Sequence, residues 1–182
     1  MNGFEWVMEN DDETNGAAGK SGKSRAVGRG AVRNAPREPV LWTLPGFFGN
    51  ARVATSFGDL PVQALRPRDP LRTLQGSLVN VAWVDRIHLD EDFLSANPDA
   101  LPVLIPAGAL GPGRPRTDLR VSPHQKINAG SGEFRPDFRL ARDLTNRPGI
   151  MRSPATMLTY HLFHCGAPAS VLVEGVGVST SP

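Results

Sequence analysis

The chain has 182 residues, 20 Lys and Arg against 18 Asp and Glu, a formal net charge of +2 and a single cysteine. That length suits one domain plus a tail, with enough buried apolar surface to fold without disulfides or metal. The lone Cys165 excludes an intramolecular disulfide framework, no apolar run reaches the roughly 18 residues of a membrane helix, and the near-balanced charge is no argument for nucleic acid.

Residues 1–38 read as a disordered, charged leader. Stretch 5–13 is acidic; stretch 20–37 is basic and rich in Gly, Ala and Ser. Such a segment has too little apolar surface to offset its ordering entropy. Its "AAGKSGKSR" has the Gly-Lys-Ser of a phosphate loop but not the spacing. Ala17 and Thr14 stand where that loop needs a glycine, and no strand precedes it. The basic run lacks interleaved aromatics and has an acidic neighbour, so nucleic-acid binding is not expected of it. An acidic N-terminus without an apolar stretch is no signal peptide. With a free thiol at Cys165, this predicts a cytoplasmic protein.

The folded part begins near Val40. From there short apolar runs alternate with Gly, Pro, Asn and Asp. Segments 52–54, 61–64, 77–84, 103–105, 119–121 and 170–174 read as strands. Seventeen prolines oppose long helices, since a mid-helix proline costs about 3 kcal/mol. One turn of helix is expected over 90–96, stopped at Pro98, and 138–144 suits either a short helix or an extended piece. Trp83 reads as a core aromatic, and Trp42, Phe47 and Phe48 as core or core rim. The pattern predicts an all-β body; no internal repeat is evident.

Two long motifs say more. Residues 46–69 read "GFFGNARVATSFGDLPVQALRPRD" and 101–127 read "LPVLIPAGALGPGRPRTDLRVSPHQKI". Ala54-Thr55, Gly58, Leu65-Arg66-Pro67 and Asp69 resemble the opening block of the bacterial Hint (Hedgehog/intein-like) family, and 105–123 is similar to its second block almost letter for letter. A third block, Tyr160-His161-Leu162 through Glu174-Gly175, resembles the family's "YHL…AEG" close. The resemblance spans residues 44–175. It implies a flattened horseshoe of twisted short strands with pseudo-two-fold halves over 39–178, followed by a tail at 179–182. It also implies self-processing: a first-residue thiol or hydroxyl attacks the preceding carbonyl, giving a thioester or ester that water or a second nucleophile resolves. Such chemistry needs an ionisable nucleophile, a proton donor for the leaving amide and oxyanion donors.

Against that pattern the chain keeps Thr55, Ser122, His124 and His161 as candidate catalytic residues. It places Gly46 at the nucleophile position. Thr43, three residues upstream, would serve only in a shifted register. The family's "SPQH" becomes Ser122-Pro123-His124-Gln125, so Gln125 takes the histidine slot and cannot act as an acid. On a strand His124 would face away from that slot; in a turn its imidazole would still reach it. The family's second histidine falls on Ala167 or Pro168. The adjacent His164 and Cys165 suggest neither a Cys–His nucleophile nor a metal pair, since strand neighbours diverge and the spacing fits no zinc site. No cofactor and no metal are expected. The first reading is a Hint domain whose self-cleavage is lost and whose role is structural or binding, with a protein partner. The second is a domain that still cleaves near Pro45-Gly46, through Thr43 or water activated by His124 or His161. Of the two, the first leaves the chain no enzyme.

Overall fold

The computed structural model of the chain describes residues 41–130 and 135–182. The predicted leader, its Gly-Lys-Ser repeats and its basic run lie outside these residues. Proline and glycine punctuate the rest so often that no described strand exceeds seven residues.

The strands run β1 (Phe47–Phe48), β2 (Arg52–Thr55), β3 (Gly58–Pro61), β4 (Pro70–Arg72), β5 (Leu78–Asn80) and β6 (Trp83–Leu89). Helix α1 (Glu91–Ala96) follows. Then come β7 (Val103–Ile105), β8 (Leu119–Val121), β9 (Lys126–Asn128), β10 (Phe138–Leu140), β11 (Met151–Arg152), β12 (Leu158–His164), β13 (Ala169–Val173) and β14 (Val176–Thr180). A six-stranded sheet has the order β11-β7-β8-β1-β12-β6; an eight-stranded one has β10-β9-β14-β13-β2-β4-β5, with β3 on β2. Every pairing is antiparallel. The body is all-β, as composition and turn chemistry predict.

One core joins the two sheets. Phe47, Val103, Leu119, Val121 and Phe163 come from the six-stranded sheet and meet Val53, Leu71, Ile127, Val171 and Val178 of the other. Phe47 stacks on Phe163 with ring centroids 5.6 Å apart. Fully burying each such side chain contributes about 2 kcal/mol. A second core lies on the opposite face of the six-stranded sheet, where Trp42, Leu94, Leu158, Tyr160 and Leu162 pack together. The alternation along β12 feeds both: Tyr160 and Leu162 point to the second core and Phe163 to the first. His161 therefore shares the face of Phe163.

Helix α1 matches the expected 90–96. Asp90 is its N-cap, accepting from Phe93 N at 2.9 Å. Several expectations need correction. Segment 61–64 is the end of β3 followed by a 3-10 turn, Val62–Ala64; Pro61 fixes its own φ and starts that turn. The run 77–84 divides into β5 and β6, because Val81 N bonds Asp69 O and Ala82 N bonds His164 O, turning the chain from one sheet into the other. Segment 138–144 is both things: strand β10, then a 3-10 turn over Ala141–Asn146. Trp83 is not core; it is 42% exposed and stacks on His164 at 5.2 Å, since β6 ends its sheet. On this terminal strand the Arg86 amide donates to Asp85 Oδ1 at 2.7 Å.

A buried carboxylate closes β13. Glu174, 3% exposed with φ 50°, accepts from Arg52 N through Oε1 at 2.8 Å. Its own backbone N–H donates to Arg52 O, and its carbonyl accepts from Arg116 N. Among the described residues no helix is long and apolar enough to cross a membrane.

Candidate functional site

The chain enters β1 through Trp42-Thr43-Leu44-Pro45-Gly46, and this approach is held by β8 and β12. Gly46 O accepts from Ser122 N at 2.8 Å, extending the β1–β8 ladder beyond the Phe47–Val121 pair. The Ser122 hydroxyl donates to Leu44 O at 2.5 Å. It accepts from Trp42 Nε1 at 3.0 Å and from His124 N at 3.3 Å. Ser122 is fully buried, and its one donor and its lone pairs are engaged by protein groups. Trp42 in turn stacks on Tyr160 at 5.3 Å.

Gly46 lies directly over Tyr160. A Cβ on Gly46 would stand 3.1 Å from Tyr160 Cβ and 3.4 Å from its Cγ, closer than side chains pack without shifting. Tyr160 has little room to give way. It is fully buried, and its hydroxyl donates to Ala100 O at 2.8 Å. Burial holds its phenol well above the ordinary tyrosine value.

His124 occupies a turn between β8 and β9, not a strand, and is half-buried. Burial lowers its pKa, and the Arg142 and Arg152 guanidiniums lower it further. Gln125, beside it, points inward: it is 2% exposed, and Nε2 donates to Ser179 O of β14 at 2.9 Å. His161 is half-buried on β12, opposite Phe47 on one side and Arg86 on the other. Its pKa is lowered by burial first and by Arg86 second.

The structure thus brings Gly46, Ser122 and the His124 turn together, with the backbone of His161 within 3.5 Å of a Gly46 Cβ. It does not bring Thr55 there. That residue ends β2 in the other sheet, its hydroxyl donating to Gly58 O at 2.5 Å and accepting from Phe57 N at 3.1 Å across the β2–β3 turn. Thr43 is exposed. Ala167 and Pro168 sit exposed in the β12–β13 turn. His164 Nδ1 accepts from Gly166 N at 3.1 Å while its ring lies on Trp83; Cys165 packs against the core, with Thr180 Oγ1 donating to Sγ at 3.9 Å. Among the described residues no group of three or more His, Cys, Asp and Glu is arranged to hold a metal ion.

Sequence reasoning missed Trp42 as the indole donor to Ser122 and Tyr160 as the floor beneath Gly46. The contacts span 80 residues for the indole bond, and no local pattern signals them.

The Hint domain family model matches residues 45–181, and the chain belongs to that family. Among solved structures, a splice-inactive variant of the AceL NrdHF class 3 split intein is similar, with TM-score 0.50 and 16% identity over 75% of this chain and 98% of that one. The MchDnaB-1 intein aligns with TM-score 0.45 and 10% identity over 75% of this chain and 99% of its own. At such identities the likeness concerns the fold. Among curated proteins, none matches the sequence.

Proposed function

We propose that this Hint domain has lost self-cleavage and serves a structural or binding role, with a protein partner. The observation that carries this reading is the pair Gly46 and Tyr160. The family's nucleophile position has no side chain, and a Cβ there would crowd Tyr160 Cβ at 3.1 Å. Gln125 supports it: the amide in the histidine slot cannot donate a proton as an acid, and it is committed to Ser179 O. The attack that drives self-processing is intramolecular and draws much of its rate from effective molarity. Water in place of a thiol forfeits that advantage. The single thiol, Cys165, suits a reducing compartment, and we place the protein in the cytoplasm.

Intact mass of the purified chain, with and without dithiothreitol or hydroxylamine, tests the reading. Both reagents intercept a thioester or ester. One unchanged mass is expected. Fragments cut near Pro45-Gly46 would sink the proposal and favour the alternative, a domain still cleaving itself with a substitute nucleophile.

A further inference from the structure

The face of β12 and β6 that carries His161 opens onto a groove beside the approach to β1. It has two lobes. One, of about 270 Å³, lies between the 3-10 turn Val62–Ala64 and β6, lined by Gln63, Leu65, Asp85, Arg86 and His161. The other, of about 490 Å³, is lined by Phe48, Asn50, Gln63, His88, Thr159 and His161. Gln63 and His161 line both, so the lobes adjoin at these two side chains.

The strand register sets out the polar groups. His161 pairs with Arg86 and Thr159 with His88, so these four lie on one face of the β12–β6 ladder. His88 Nδ1 is 3.1 Å from Thr159 Oγ1. Gln63 Nε2 donates to Asn50 Oδ1 at 3.1 Å, fixing the amide at the junction. The charged or titratable groups lining the groove are Asp85, Arg86, His88 and His161. The one carboxylate among them, Asp85, accepts from the Arg86 backbone amide. Among the described residues the Arg86 guanidinium makes no salt bridge. The groove therefore sets, beside two imidazoles, an arginine that no described carboxylate pairs.

We propose that this groove binds an anionic group, a carboxylate or a phosphate, held by the Arg86 guanidinium with His161 and His88 as further donors. An arginine fork is the charge-assisted donor such oxyanions take, and an imidazole N–H adds a further donor. Burial first and Arg86 second lower the pKa of His161, so an anion bound beside both groups should raise it. The inference supplies a ligand class for the binding role proposed above and rests on that reading. The two fail separately, because cleavage is read by mass and anion binding by resonance shifts.

The test is an NMR titration of the histidine ring protons with inorganic phosphate in one arm and succinate in the other, at constant ionic strength. His161 and His88 should shift saturably, and bound anion should raise the pKa of His161. His124 and His164 act as internal controls. Shifts with phosphate alone or with succinate alone identify which oxyanion the groove takes. Arg86→Gln should weaken binding roughly tenfold or more while leaving the amide spectrum dispersed. His161→Gln should weaken binding of both anions and leave the His88 shift saturable. No saturable shift with either anion, equal shifts at all four histidines, or unchanged affinity in Arg86→Gln would overturn the proposal.

Discussion

The Ser122 hydroxyl and the Leu44 carbonyl lie 2.5 Å apart although 78 residues separate them in the chain. This bond, with those from Trp42 Nε1 and His124 N, pins the approach to β1 against β8. Ser122→Ala should leave Leu44 O without its donor and the Trp42 indole N–H buried without an acceptor. A loss of about 2 kcal/mol or more follows from stranding buried polar groups. Urea unfolding reads it; an unchanged midpoint would mean that this bond carries no stability.

Restoring a thiol should not restore cleavage. In Gly46→Cys the new Cβ must displace Tyr160, whose ring is fixed between Trp42 and the Ala100 carbonyl. Overpacking of that kind costs about 1–3 kcal/mol. The variant should melt earlier and keep one intact mass in hydroxylamine. Fragmentation of this single variant would show that only the nucleophile separates the domain from activity.

Stability should fall in mild acid. Burial, helped by neighbouring arginines, lowers the folded-state pKa of His124 and His161. In the unfolded chain both titrate near the ordinary histidine value of about 6.5. Between the two values the unfolded state binds more protons, so stability rises with pH there. It is complete above about pH 6.5 and falls as the pH drops through that value toward the folded ones. A His124→Gln, His161→Gln double variant should show a shallower fall than the parent in urea midpoints taken across this range. Parallel curves would exclude these two groups as the cause.

Cys165 should react slowly. Burial pushes its thiol up, and the Thr180 hydroxyl offsets that only in part. The thiolate is the nucleophile, and little of it forms at neutral pH. Iodoacetamide should alkylate the folded chain more slowly than the chain in urea. Equal rates would show an open, unperturbed thiol.

What the sequence disclosed tracks how local each cause is. Val103–Ile105, a continuous apolar run, and Leu119–Val121, an apolar alternation, were readable to the residue because turn residues bound them. So was α1, whose Asp90 cap and Pro98 stop are local. Strands Phe47–Phe48, Pro70–Arg72 and Met151–Arg152 were not; only pairing with partners elsewhere in the chain makes them strands. The site divides the same way. Gly46 and Gln125 stood out because the motifs around them are long. The roles of Trp42 and Tyr160, and the setting of His161 opposite Arg86, depend on sheet order.

The carboxylate of Asp85 on the Arg86 amide has a bearing on how crowded copies of this domain behave. Strand β6 terminates its sheet, and a terminal strand with open donors is a template for another chain. Here the side chain one residue back stands in for the carbonyl that an incoming strand would bring. Among the described residues nothing pairs with this seven-residue edge, and a single acidic side chain takes up one of the donors on which another strand would build.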